Sequence, residues 1–415
     1  MSRILITSIG SLGDVYPYLA IARGLKQRGH ECVIAMPEYY RKDVLADGHD
    51  FRPIRPDVNL SDGALVERVM HRSRGPAVVV RELVLEPLRD TYADLLAAGA
   101  GVDLIVTHPL TFAGPIVAEK LKIKWASTVL SPASFFSIHD LPVFPPMPWL
   151  VHLRALGWPV SKALLSAGRW ITRNWTEAVR DLRAEVGASD IGDPLFEGQH
   201  SPRLTMGLFS KVLAQSKPDW PKSAIVTGYP FYEHGEDLSE ELLRFLAAGP
   251  PPVVFTLGSS AVMAPGQFYH ESIDAIRALG WRAVLLVGKD PAGMAKEKLA
   301  DAVMAVDYVA HAKLFRRASA IVHHGGIGTT GEALRSGRPM LVVPHSHDQP
   351  DNAYRVKNLG VAESLPAHKY TAKRLAAKLP KVISHAGRAD EIGEIVRGED
   401  GVATACDAIE KLLAS

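Results

Sequence analysis

Short apolar runs alternate along the chain with longer stretches whose apolar positions recur at helical spacing. Residues 4–9 form the first run and predict a strand. From 15 to 28, Leu19, Ala22 and Leu25 mark one helical face, and Gly29 supplies a stop. Residues 32–36 predict the next strand; 102–107 and 125–130 predict two more, flanking a helix near 114–121. Pro250, Pro251 and Pro252 break the chain, after which the pattern restarts. Strands are expected at 253–257, 283–287, 303–306, 320–323 and 340–344, with a helix at 267–279 and others between. Apolar strands separated by helices predict parallel βαβ units with helices on both sheet faces. The expected fold class is α/β, with two Rossmann-like halves facing across a cleft. The expected divisions are a first domain over 1–215, a connecting region over 216–249, a second domain over 250–395, and a closing helix over 396–415 that packs back toward the first.

Open parallel sheets take ligands beyond the carboxyl ends of their strands. The most informative such loop follows 320–323 and reads His324-Gly325-Gly326-Ile327-Gly328-Thr329-Thr330-Gly331-Glu332 before a helix. Glycines allow close approach to the backbone, and a helix start offers unpaired N–H groups and a positive dipole end, so a phosphate is expected. Gly326, Gly328 and Gly331 also fit G-x-G-x-x-G, with Asp348 about 20 residues on, which admits an NAD-dependent oxidoreductase. The position argues otherwise, because that fingerprint follows the first strand of its unit. Thr329 and Glu332 also read as a capping box, which explains those two residues but not the glycines.

Composition narrows the classes. With 415 residues, 47% hydrophobic and 22% charged, the chain can bury full cores. A net charge of +2 gives no drive toward nucleic acid. Two cysteines, Cys32 and Cys406, exclude a disulfide scaffold and a Cys-based zinc module and suit a reducing compartment. No apolar run reaches the ~18 residues of a membrane span, so a cytoplasmic protein is expected. Trp149, Trp158, Trp170 and Trp175 interleave with Arg154, Lys162, Arg169 and Arg173. That pattern reads as an amphipathic helical pair packed on its own domain, or as an apolar groove or a peripheral membrane contact.

The blocks Tyr308-Val309, His323 to Thr330 and His347-Asp348-Gln349-Pro350-Asp351-Asn352 together resemble the donor signature of the family 1, two-domain GT-B nucleotide-sugar glycosyltransferases. Gly10-Ser11-Leu12-Gly13-Asp14-Val15-Tyr16-Pro17 is similar to a segment of the sterol, glycopeptide-antibiotic and rhamnolipid enzymes of that family. The resemblance implies a UDP- or dTDP-hexose as co-substrate and no separate cofactor. By position, Tyr308 stacks on the base and Val309 bonds its edge; Ser259, Ser260, His324, Gly328 and Thr329 hold the diphosphate, and Gly13 and Gly326 are further donor-binding residues. Glu332 takes the ribose hydroxyls, and Asp348 and Gln349 take hydroxyls of the sugar. Tyr308 stands where the family often has Trp, which leaves uracil and thymine open. No Asp-x-Asp occurs, so helix N–H groups rather than a metal are expected to stabilise the leaving diphosphate.

Inverting transfer needs a base for the acceptor hydroxyl. Asp14 stands where sterol and glycopeptide relatives carry Asp and many others carry His; it also reads as the N-cap of a helix from 15. His108, after the 102–107 strand, is the second acid/base candidate. His323, His324, His345 and His347 beside Asp348 raise a metal reading, but the donor signature already uses two of them, and no metal site is expected. Phe112, Phe135, Phe136, His139, Phe144 and Trp149 follow strand ends and are the expected lining for a hydrophobic, hydroxylated acceptor: a flavonoid or polyketide, a sterol or a lipid. Competing readings are the NAD-dependent oxidoreductase, a nucleotide-sugar epimerase of the same architecture and a non-catalytic sugar-nucleotide subunit. The sugar, the acceptor and the oligomeric state stay open.

Overall fold

The computed structural model of the chain describes residues 1–58, 62–233, 235, 237–288 and 301–415. They form two compact units. The first comprises Met1–Asn59, Arg74–Tyr232 and Glu399–Ser415; the second comprises Leu60–Ser73 and Glu233–Gly398.

The first unit is built on strands β1 (Arg3–Thr7), β2 (Glu31–Met36), β3 (Asp50–Pro53), β4 (Leu104–Thr107), β5 (Lys124–Val129), β6 (Thr205–Gly207) and β7 (Ala224–Val226). They pair in parallel in the order β3-β2-β1-β4-β5-β6-β7, with Ile4 opposite Cys32 on one side and Leu104 on the other. Ile4, Leu5, Ile6, Val33, Ile105 and Val106 are wholly buried, as a strand covered on both faces requires. The closing helix Gly401–Ala414 lies on the helix Leu12–Gln27. A Cβ at Gly24 would come within 2.6 Å of Val402 Cγ1, so the two helices meet where that side chain is missing. Arg28 adds ion pairs to Asp407 and Glu410 at 2.5 and 2.7 Å.

The second unit carries β8 (Val253–Thr256), β9 (Ala283–Leu286), β10 (Val303–Val306), β11 (Ala320–His323), β12 (Met340–Val342) and β13 (Ala362–Ser364), all parallel, in the order β10-β9-β8-β11-β12-β13. Counted from β8, this is the Rossmann order 3-2-1-4-5-6. The sheet order reverses between β1 and β4 in the first unit and between β8 and β11 in the second, and loops at such switch points form ligand crevices.

Several elements depart from the pattern-based expectation. The first helix starts at Leu12, not 15, with Ser11 as its N-cap, so Asp14 lies inside the first turn. The two glycines before Asp14 hid that start, since glycine is a poor helix former. The stretch 216–249 is not a bare connection: it contains β7, and Trp220 stacks on Phe135 at 3.8 Å. Strands β3, β6, β7 and β13 are three or four residues long and carry no sustained apolar run, so periodicity gave no sign of them. Among the described residues, no helix is long and apolar enough to cross a membrane.

Candidate active site

In the first unit, the helix start after β1 and the loop after β4 bring Asp14 and His108 together at the switch point. Asp14 Oδ2 accepts hydrogen bonds from the Ser11 N–H (2.8 Å) and Ser11 Oγ (2.9 Å). The carboxylate lies over Gly10, whose φ is +121°; a Cβ there would sit 2.5 Å from Asp14 Oδ2, so position 10 tolerates only glycine. The other oxygen, Oδ1, is 3.6 Å from His108 Nε2, longer than a hydrogen bond. His108 is 4% exposed, and its Nδ1 accepts the Leu110 N–H at 3.1 Å. That bond makes Nδ1 the acceptor, so Nε2 carries its proton on the side facing Asp14. Burial works to raise the Asp14 pKa, but the His108 imidazole and the two Ser11 donors outweigh it, and the carboxyl lies below its ordinary value. Its side chain remains 33% exposed, open to a reactant. Gly13 is half-buried in the same first turn.

In the second unit, the loops after β8 and β11 meet over one imidazole. His324 lies between Gly258 and Gly326, where an added Cβ would come within 2.4 Å of its ring on either side. Burial holds its pKa well below the ordinary value, so it is neutral, and its buried Nδ1 has no hydrogen-bond partner among the described residues. The helix Ile327–Ser336 starts at Gly326 without a side-chain cap. Its first-turn N–H groups, around Gly328 and Thr329, are therefore left to solvent or a ligand. Thr329 and Glu332 do not form the capping box their spacing suggested, because the helix starts three residues before Thr329 would cap it. Glu332 instead pairs with Arg335 at 3.0 Å, and burial, only partly countered by Arg335, pushes its pKa up to about 7.

Ser259 is exposed in the short helix Gly258–Ala261, which also holds Ser260; the Ser260 side chain lies outside the described structure. Tyr308 is 55% exposed and Val309 half-buried, both in the loop after β10. Asp348 accepts a bond from Asn352 Nδ2 at 2.8 Å, and the same amide group donates to Gly325 O at 2.9 Å, tying the glycine turn to the Asp348 loop. Sequence reasoning gave Asn352 no role of its own. Gln349 is turned inward: its Oε1 accepts the His345 and Ser346 N–H groups at 2.8 and 3.2 Å. Of the four histidines that raised the metal reading, His323 and His347 are engaged with backbone groups, whereas His324 Nδ1 and His345 Nε2 have no hydrogen-bond partner among the described residues. His323 Nδ1 accepts the Gly325 N–H, and His347 Nε2 donates to Val69 O. Among the described residues, no group of three or more His, Cys, Asp or Glu is arranged to hold a metal ion.

The six acceptor candidates divide. Phe112 (5% exposed) packs into the first unit's core and lines a small cavity beside His108, and Phe135 (8%) is packed between Trp220 and His200. Phe136 is half-buried against Phe196, Phe144 is half-buried, and His139 is exposed. Trp149 is 60% exposed, as are large parts of Trp158 (53%) and Trp170 (66%).

Residues 4–137 match the model of the glycosyltransferase family 28 N-terminal domain, and 282–400 match that of the erythromycin biosynthesis protein CIII-like C-terminal domain. Over 99% of its length the chain is 34% identical to O-mycaminosyltylonolide 6-deoxyallosyltransferase of Streptomyces fradiae, spanning 97% of that enzyme. The chain belongs to the GT-B glycosyltransferases. Vancomycin aglycone glucosyltransferase of Amycolatopsis orientalis is 30% identical over 97% of the chain and 96% of its own length. In fold, this glycosyltransferase is similar to spinosyn rhamnosyltransferase, solved with thymidine diphosphate, with a TM-score of 0.70, 15% identity, and coverage of 99% and 100%. Neither the oxidoreductase nor the epimerase reading is favoured. In this glycosyltransferase the G-x-G-x-x-G match follows β11, fourth in Rossmann order, and not β8.

Proposed function

We propose that this glycosyltransferase moves a hexose or deoxyhexose from a UDP- or dTDP-sugar to a hydroxyl of a hydrophobic acceptor, with inversion and with Asp14 as the base. The acceptor oxygen attacks the anomeric carbon as the bond from that carbon to the diphosphate breaks. Asp14 takes the acceptor's proton. The first-turn N–H groups from Ile327 onward, with Ser259 and the unpaired His324 Nδ1, receive the negative charge developing on the diphosphate. Tyr308 stacks on the base, Glu332 accepts the ribose hydroxyls, Asp348 bonds the sugar, and the buried Gln349 amide nitrogen joins it by exchanging its contact with Met70 Sδ for a sugar hydroxyl. Phe136, His139, Phe144 and Trp149 contact the acceptor, and the enzyme works in a reducing cytoplasm, to which its two buried free thiols are suited.

The observation that carries the reading is the Asp14 carboxylate. It is fixed by Ser11, faces an N–H of His108 and is still one-third exposed. A carboxylate with a lowered pKa is a weak base, so the proton moves late, when the attacking oxygen is already losing electron density. A hydrophobic acceptor also displaces water from Asp14 and raises its basicity. The relatives' names support a deoxyhexose or a glucose moved to an antibiotic aglycone, and the thymidine diphosphate complex supports a dTDP donor. Asp14→Asn is expected to lower kcat by roughly 10²–10⁴-fold while dTDP affinity stays within twofold. Turnover retained in that variant removes Asp14 from the mechanism. A panel of UDP- and dTDP-sugars against macrolide, sterol and hydroxy-fatty-acid acceptors identifies the substrates.

A further inference from the structure

The segment Leu60–Ser73 belongs to the second unit although it lies in the first third of the chain. From residue 62 onward it touches two of the segments assigned above to the donor, the short helix after β8 and the loop before Asp348 and Gln349. Its helix Gly63–Val69 packs on the short helix Gly258–Ala261, and a Cβ at Gly63 would lie 3.3 Å from the Met263 carbonyl oxygen. Three consecutive residues at its far end then hold the loop 345–349. His347 Nε2–H donates to Val69 O at 2.9 Å, and Ser346 Oγ donates to His71 O at 3.2 Å. The Gln349 amide nitrogen lies 3.9 Å from Met70 Sδ, and Met70 is itself packed against the unit's apolar core.

His347 is the residue under strain. Its φ is +56°, a left-handed conformation that a side chain with a Cβ adopts at a cost, and it immediately precedes Asp348 and Gln349. Such a conformation persists only where the surroundings over-determine it. Here one hydrogen bond of His347 and one of its neighbour Ser346 run to backbone carbonyls of the 69–71 stretch, and Gln349 closes the loop from within through its bonds to the His345 and Ser346 N–H groups.

We infer that residues 62–73 form a positioning strap for the donor's sugar. By holding His347 left-handed, the strap sets the direction in which Asp348 and Gln349 meet the transferred hexose. It therefore governs affinity for the sugar and not for the nucleotide. The inference rests on the reading of Asp348 and Gln349 as sugar contacts. Val69, Met70 and His71 are positioning residues: they act through the loop and touch no reacting atom.

The test is calorimetric titration of the full chain with dTDP-glucose and with dTDP, in parallel with UDP-glucose and UDP, alongside KM and kcat for the donor that binds. His347→Ala removes the bond to Val69 O and with it one restraint on the left-handed turn. It is expected to weaken sugar-nucleotide binding about tenfold, with affinity for the free nucleotide changed less than twofold and the loss appearing in KM more than in kcat. His347→Gln, whose amide can donate the same bond, recovers part of the loss. Ser346→Ala leaves residue 347 intact and is expected to cost about threefold in the same direction, which keeps the test open if His347→Ala does not fold. Equal losses for sugar nucleotide and nucleotide, or no loss in either variant, overturn the strap alone. A wild-type chain that binds none of the four probes overturns the donor reading and the strap with it.

Discussion

Asp14 owes its orientation to two donors on Ser11 and to the absence of a side chain at Gly10. Against burial, which works to raise it, His108 and Ser11 hold the Asp14 pKa below the ordinary value, which favours the ionised, proton-accepting carboxylate in the free enzyme. Glu332 is the opposite case. Its pKa is pushed up to about 7 in the folded chain from 4.5 in the unfolded one. Both states are protonated below pH 4.5, so the folded state is not penalised there. As pH rises from 4.5 through about 7, the unfolded chain gives up its proton first and the folded state loses relative stability. Two outcomes are expected. Glu332→Gln flattens the fall in urea-derived stability between pH 5 and pH 8. With dTDP-glucose, whose diphosphate has no ionisation in this range, wild-type affinity falls between pH 8 and pH 6 as the ribose acceptor becomes protonated, whereas the Gln variant shows no such slope. A matching slope in both proteins assigns the titration to another group.

At the scale of elements, the sequence makes the central strands and the glycine turn readable because their signals are local: apolar runs for β1, β4, β8 and β11, and four glycines within seven residues from Gly325 to Gly331. What it hides is set by distance along the chain. Nothing in His324-Gly325-Gly326 reveals that the ring is also clasped by Gly258, or that residues 69–71 reach the 345–349 loop. The inward turn of Gln349 is likewise invisible, since its partners are backbone N–H groups. The clasp makes a direct prediction. Gly326→Ala places a methyl 2.4 Å from His324 Nε2, so the ring must shift, and about 1–3 kcal/mol of stability and much of the dTDP affinity are expected to go. The control is Gly387→Ala in the helix Ala386–Arg397, where an added Cβ meets nothing within 4 Å and a gain of about 0.5–1 kcal/mol is expected. Urea unfolding and dTDP titration of both variants check the pair; an innocuous Gly326→Ala denies the clasp.

At the scale of the molecule, each unit has its own sheet and its own apolar core, one running from Leu5 through Ile105 to Val117, the other from Val253 through Leu285 to Leu379. The nucleotide is assigned to one of them only, so ligand and mutation should act on separable parts of the unfolding transition. A ligand binding the folded state stabilises it by RT ln(1 + [L]/Kd), about 2.7 kcal/mol at a hundredfold excess over Kd. In differential scanning calorimetry, dTDP or UDP at that excess is expected to raise the component that contains the second core, while NADH leaves the trace unchanged. Gly24→Val is expected to do the reverse. It forces a side chain into Val402 and Cys406, loosens the closing helix from its seat on Leu12–Gln27, and lowers the component that contains the first core by about 1–3 kcal/mol. With both changes applied, the two shifts should add to within about 0.5 kcal/mol, as independent sites do. Stabilisation by NADH in place of the pyrimidine nucleotides would return the glycine turn to the dinucleotide reading.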